Sequence, residues 1–349
     1  MSSDRHLRPE YAAERTLTPS ATYAQTVRVV MPRHANPIGF LFGGNMLSWI
    51  VESSTSAAIS AAAGRGEVVL GFMDDMHFIN PITVGSVLVL RSWVGHIGRS
   101  SVTVFTEALL RRPAGTYIAA SFARTVYVCI GPDLRPQPLN AKMEWREDWE
   151  REVVVRAEAW RRGVELVLES GPAPPKGRVR HELVSYRRIA PEDTFTSELM
   201  FAGRLLQFMD ELAGILAFGY AEGLVVTASV DQTSFSSPVK VGDTLKLVAR
   251  LTRVWRSSME VECDALVVKG EEERPVSTSY FTFVGVDVSG RPREVPPYVP
   301  VSPEELEVWE EAGSRRERRR ASLNRLEAIR HREFRLEPGS AQPVLINLF

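Results

Sequence analysis

Hydrophobic and polar positions along this chain fall into two kinds of pattern that recur, in the same order, in each half. Between about residues 44 and 63 the run SWIVESSTSAAISAAA is apolar or small around most of the helical circumference. That pattern predicts a long helix buried on several sides rather than one lying on a surface. Gly64 supplies a C-terminal stop. Alternating, β-branched-rich segments follow at about 66–78, 86–96, 100–111 and 117–130 and predict strands, and a short strand is expected before the helix, at 27–31. The second half repeats the order, with a short strand at 186–189, an apolar helix at about 203–221 and further strands. One long helix followed by four or five antiparallel strands is an α+β layout, with the sheet curled around the helix.

The repetition is also literal. Residues 34–53 align without a gap to 193–212 at an offset of 159, pairing Phe42 with Phe201, Gly44 with Gly203, Leu47 with Leu206 and Glu52 with Glu211. Residues 68–104 align to 225–261 at an offset of 157, with thirteen of 37 positions identical. Shared there are Asp74/Asp231, Phe78/Phe235, Pro81/Pro238, Gly85/Gly242 and the RSS triplets beginning at Arg99 and Arg256. The chain is therefore read as a tandem duplication. Expected boundaries are an N-terminal tail at 1–20, a first domain with a trailing charged helix at 21–162, a Pro/Gly-containing linker at 163–184, a second domain at 185–300 and a basic helical C-terminal tail at 301–349.

Bulk properties narrow the function classes. A length of 349 residues suits about two domains. The formal net charge of −1 gives no reason to expect a nucleic-acid partner. Cys129 and Cys263 form neither a metal-like spacing nor a disulfide framework. No apolar run reaches the ~20 residues that span a bilayer, and residues 1–20 lack the apolar core of a signal peptide. A cytoplasmic protein without a metal or membrane span is expected. The arginine-rich run near 314–335 reads as a solvated surface helix, with polyanion binding as the alternative. No nucleophile elbow, phosphate loop or HExxH helix is present, so serine-hydrolase, nucleotide-hydrolase and metalloenzyme readings lose support.

The pattern N-P-x-G-x-x-F-G-G from Asn36 to Gly44, the apolar helix, then D-x-x-x-F-x-x-P-V-x-V-G-D from Asp231 and R-S-S-M-E-V from Arg256 resemble acyl-CoA thioesterases of the hot dog fold. The closest likeness is to tandem cytosolic acyl-CoA hydrolases, over about residues 22–136 and 185–297. The resemblance implies two hot dog domains packed through their sheets as an intramolecular pseudo-dimer, with acyl-CoA along the seam. It also implies an Asn in the loop before one helix and an acid within the other helix, acting together. Asn36 has Phe195 as its repeat counterpart, and Asp210 has Val51. Each half thus keeps one component and carries an apolar residue in place of the other, which predicts one working composite site. Asp210 would be general base or nucleophile, and Asn36 would orient water or donate to the oxyanion. The helix start at Gly43 and Gly44 would offer free N–H groups to a thioester oxygen, with glycine allowing close approach to the ligand.

Arg99, Ser100, Arg256 and Ser257 are expected near the path of coenzyme A, where arginine complements phosphate, or else as strand-edge packing. Glu52 and Glu211, and likewise Asp74 and Asp231, occur in both halves and read as structural; His34 and His77 read as packing residues. No cofactor is expected beyond the coenzyme A of the substrate, and a homotrimer of two-repeat chains is the expected assembly. Alternatives are a silent acyl-CoA-binding or sensing module and a hot dog dehydratase, which would want an Asp/His pair near the helix start.

Overall fold

A computed structural model describes residues 14–169, 179–195 and 198–348. The Pro/Gly-rich stretch at 170–178 of the expected 163–184 linker and the first thirteen residues of the expected N-terminal tail lie outside the described residues. The first half runs β1 (Arg15–Leu17), β2 (Ala24–Val29), α1 (Gly43–Ala62), β3 (Glu67–Met73), β4 (Met76–His77), β5 (Val87–Ile97), β6 (Ser101–Arg111), β7 (Tyr117–Ile130), β8 (Ala141–Met143) and α2 (Asp148–Glu169). The second runs β9 (Glu182–Arg188), α3 (Ala202–Ala221), β10 (Val225–Val230), β11 (Thr233–Ser234), β12 (Thr244–Val254), β13 (Ser258–Lys269), β14 (Glu272–Gly285) and α4 (Pro303–Glu327). A last strand, β15 (Glu333–Phe334), pairs with β7 of the first half.

Each half is built on one antiparallel sheet wrapped on a central helix, with β1 and β8 of the first half forming a separate parallel pair: two hot dog domains in tandem. α1 buries fourteen of its twenty residues, from Gly43 to Ala62, which accounts for the missing polar face. It ends one residue before Ala63, which takes a left-handed conformation at φ 45°, and Gly64 continues the turn at φ 75°. The two Val-Gly turns fold alike, with Gly85 and Gly242 both at φ 86°, a conformation that favours glycine.

The halves meet mainly helix on helix, not through sheet faces alone. A Cβ on Gly44 would lie 2.9 Å from the Gln207 backbone, and one on Gly203 would lie 3.0 Å from the Ser48 backbone. These two close approaches are related by the repeat offset of 159, so α1 and α3 cross on a local two-fold. The sheets also trade edge strands. β4 of the first half pairs with β10 of the second, and β11 of the second pairs with β3 of the first.

The duplicated unit extends beyond the aligned blocks. α2 and α4 each carry a buried first-turn glutamate, Glu150 and Glu305, that gathers backbone N–H groups of the approaching chain: Arg146 at 2.7 Å for Glu150, and Arg180 at 3.0 Å and Val301 at 2.8 Å for Glu305. Both charged helices are therefore parts of the repeat. This corrects the solvated reading of the basic C-terminal helix. Arg315 and Arg319 of α4 are 7% and 4% exposed, and they close on Glu260 at 2.7 and 2.6 Å, while Arg319 also holds Asp231 at 2.9 Å. In the first half Asp74 takes its cation from within the sheet, Arg124 at 2.7 Å. In the second half Tyr280 occupies the position whose carbonyl accepts from Asp231 N–H, so α4 supplies the arginine instead.

The residues after α4 return to the first half. Phe334 and Leu345 join a buried cluster with Trp93, Phe105 and Phe122. Glu107, buried in the Arg91 ion pair at 2.7 Å, accepts from the Val344 and Leu345 N–H groups. This segment is core, not tail.

Candidate active site

Of the two components expected from opposite halves, Asn36 lines a cavity and Asp210 stands just behind its wall. α3 places Asp210 at the crossing of the two helices, where it is fully buried. Its Oδ2 accepts from the Gly44 N–H at the start of α1 at 2.6 Å, and its Oδ1 accepts from the Thr227 hydroxyl on β10 at 2.9 Å. Burial, with help from the neighbouring Glu211 charge, pushes its pKa up to about 7, against the opposing pull of the Thr227 and Gly44 hydrogen bonds. Beside it opens a cavity of about 670 Å³ whose wall includes Asn36, Gly43, Thr227, Phe42, Phe218 and Phe283. Asp210 itself stands just behind that wall. A Cβ on Gly43 would meet Thr227 Oγ1 at 2.6 Å and Asp210 Oδ2 at 3.0 Å, so the glycine keeps the way to the carboxylate open.

Asn36 is held by its own loop. Its Oδ1 accepts from the N–H groups of Ile38 at 3.2 Å and Phe40 at 3.0 Å. With the oxygen engaged, the Nδ2 hydrogens are what the side chain offers to the cavity; among the described residues they have no protein partner. Asn36 is thus a donor here.

Two expectations are corrected. Gly44 does not offer its N–H to a ligand, because Asp210 takes it, and its lack of a side chain serves the approach of α3 rather than of a substrate. The free donor at the helix start is on Gly43, for which no hydrogen bond within the protein is found among the described residues. Arg99 and Ser100 do not border the cavity; their carbonyls accept from Leu139 and Cys129 in strand-edge packing. Arg256 and Ser257 are packed likewise, accepting from Val295 and Gly285, but they sit between Trp255 and Ser258, which line an adjoining cavity.

Thr227 was missed by the sequence reading. Its counterpart at the 157 offset is Leu70, a third polar residue opposed by an apolar one, and that replacement was the available signal. The pseudo-symmetric location completes the picture. Val51, Leu70 and Phe195 line one cavity of about 220 Å³, with Ala202 where the other site has Gly43. Thr55 and Tyr127 crowd its wall, hydrogen-bonded to each other at 3.1 Å. Phe195 stacks on Phe201 with ring centroids 5.1 Å apart. None of the three replaced positions retains a group able to move a proton.

The glutamates common to both halves are ion-pair residues: Glu52 pairs with Arg28, and Glu211 with Arg187 at 2.8 Å, again at the repeat offset. His34 accepts from Met31 N–H and sets its ring edge against Trp49, and His77 is buried on β4.

Comparison with known proteins agrees with this architecture. Residues 38–111 and 198–273 each match the thioesterase superfamily. The chain is similar to the cytosolic acyl coenzyme A thioester hydrolase of Mus musculus, 26% identical over 316 residues, covering 82% of this chain and 81% of that protein. It is also similar to a Zymomonas mobilis protein described as an uncharacterized acyl-CoA thioester hydrolase, 38% identical over 130 residues, 37% of this chain and 85% of that one. A structure described as a putative oleoyl thioesterase from Lactobacillus plantarum covers 76% of this chain and 98% of its own at a TM-score of 0.52; at 10% identity it speaks to the fold alone.

Proposed function

Because this chain belongs to the thioesterase superfamily and is an enzyme of that kind, we propose that it hydrolyses acyl-CoA to a free carboxylic acid and coenzyme A at one composite site, between the start of α1 and the middle of α3. The observation that carries this reading is the single bond network Gly44 N–H to Asp210 to Thr227, set against a cavity that Asn36 also lines. The cavity wall is mainly apolar, as an acyl chain requires.

In this reading Asp210 is a general base. Both carboxylate oxygens are engaged and the group is recessed, which favours drawing a proton from a water held at Thr227 over direct attack on the thioester. The water oxygen bonds to the thioester carbon, the carbonyl oxygen takes up charge, and the C–S bond then breaks. The proton passes through Asp210 to the departing thiolate. Developing negative charge on the carbonyl oxygen is met by the Gly43 N–H at the positive end of α1 and by Asn36 Nδ2. A donor of this kind is worth roughly 3–4 kcal/mol in the transition state.

A thiol-release assay over a panel of acyl-CoAs tests the assignment. Asp210→Asn and Asn36→Ala should each cut turnover by two orders of magnitude or more, while Glu52→Gln should not. Undiminished turnover in both would reject the site; acyl-CoA binding without thiol release from the native chain would favour the silent binding module. Single turnover in ¹⁸O-labelled water separates the two roles of Asp210: label in the first-formed acid supports the base, and label in Asp210 supports the nucleophile.

For assembly we propose a homotrimer. Supporting it, both edge strands expose apolar residues, Val27 and Val29 on β2 and Val184 and Tyr186 on β9, with Val27 and Tyr186 at the same place in the repeat. Light scattering giving a monomer would count against it. A cytoplasmic location rests on the names of the relatives.

A further inference from the structure

Next to the reactive cavity lies a second one, of about 460 Å³, with a different chemistry. Phe78, Ile79, Ala228, Val284 and Arg330 line both, so the two are contiguous through the β4–β10 junction. Its far wall is α4, which presents Arg316, Arg319 and Arg320.

These cations are unequally matched. Arg319 is neutralised by Asp231 and Glu260, and Arg330 by Glu327 at 3.0 Å. Arg316 and Arg320 have no acidic partner among the described residues. Arg316 lies over Trp255, its guanidinium carbon 4.3 Å from the ring centroid, and its Nη1 is buried without a hydrogen bond among the described residues. Burial, with Arg320, Arg319 and Arg253 close by, holds its pKa below the usual arginine value. Crowded and partly desolvated guanidinium groups are stabilised by a polyanion with several acceptor oxygens, above all phosphate. The reactive cavity is mainly apolar, and the arginine in its wall, Arg330, is already paired with Glu327, so it is poorly suited to the charged end of a coenzyme A thioester.

We propose that this arginine chamber receives the phosphorylated nucleotide end of the acyl-CoA, with Arg316 and Arg320 as its phosphate ligands, while the thioester reaches Gly43 and Thr227 through the shared opening. This rests on the proposed substrate, and it gives the basic face of α4 a role in recognition. The expected phosphate ligands thereby move from Arg99 in the first half to α4, and Arg256 lies at the rim beside Trp255.

The test compares acyl-CoA with the matching acyl-pantetheine, which carries the same thioester but no nucleotide. In Arg316→Ala/Arg320→Ala the preference for acyl-CoA, as a ratio of kcat/KM values, should fall at least tenfold, and the Kd of coenzyme A by calorimetry should rise at least tenfold. Arg320→Ala alone, at an exposed position, should move both in the same direction and keeps the test usable where loss of Arg316 weakens the seating of α4. An unchanged preference in the double variant with unchanged coenzyme A affinity would overturn the proposal. So would adenosine 3′,5′-bisphosphate that binds the native chain without displacing coenzyme A, since that identifies a separate anion site. Coenzyme A binding that depends on Arg316 and Arg320 in a chain that releases no thiol would leave the chamber standing and remove the hydrolase reading.

Discussion

At the scale of single residues the proposed chemistry turns on a carboxylate kept from ionising easily. Raising the Asp210 pKa from 3.8 to about 7 corresponds to an ionisation cost on the order of 4 kcal/mol. A base works only when deprotonated, so kcat/KM should climb about tenfold per pH unit below pH 7 and level off above it. The Thr227 hydroxyl bonds the ionised form, so Thr227→Ala should move that inflection upward by about one to two pH units. A pH–rate profile of each protein checks both, and an inflection near pH 4 in the native chain would contradict the assignment. Stability carries the opposite sign. The folded state holds the Asp210 proton more tightly than the unfolded chain, so this group's contribution is full below about pH 4 and is lost as pH rises through about 7. Denaturant titrations should therefore show Asp210→Asn gaining on the native protein across that interval. Gly43→Ala makes a separate point. Its methyl would fall 2.6 Å from the Thr227 hydroxyl and 3.0 Å from the Asp210 carboxylate, so the packing there must shift, and we expect at least a hundredfold loss of kcat/KM together with a lowered Tm.

At the scale of elements, position in the packing sets what each segment does. α1 and α3 cross where glycines let backbones touch, and this crossing brings a helix start against a helix middle. α4, which is basic in sequence, is a cover for the second sheet because two of its arginines neutralise Asp231 and Glu260. Arg319→Ala would leave Asp231 buried without its cation and Glu260 with Arg315 alone, a loss of about 3–5 kcal/mol. Urea unfolding monitored by Trp fluorescence checks this; a change under 1 kcal/mol would mean the charges find water instead. Helix limits, the strands at 100–111 and 117–130 and the Val-Gly turns were legible in the sequence because local periodicity and φ preference specify them. The inward role of α4 was not, since an arginine run reads the same whether it meets water or a buried acid.

At the scale of the whole molecule, duplication followed by divergence has left two cavities of unequal fate. Asn36 and Thr227 line one, with Asp210 behind Thr227; Phe195, Val51 and Leu70 line the other. If the proposed site draws Asn36 and Asp210 from one chain, an Asn36→Ala chain mixed and co-refolded with an Asp210→Asn chain should regain no activity. Recovery of thiol release to about a quarter of the native rate or more would instead locate the site between chains. The C-terminal segment adds a further tie, because residues that follow the second domain complete the core of the first.

The linear sequence by itself determined the duplication, the buried helix with its curled sheet in each half, and the complementary loss of Asn and Asp. These follow from periodicity and from comparing a chain with itself. Only the tertiary structure decided that Gly44 serves Asp210, that Thr227 joins it, and that the arginines of α4 face a buried acid on one side and an open chamber on the other. Those outcomes depend on which backbones approach and which charges lose water, and neither is encoded in the spacing of residues along the chain.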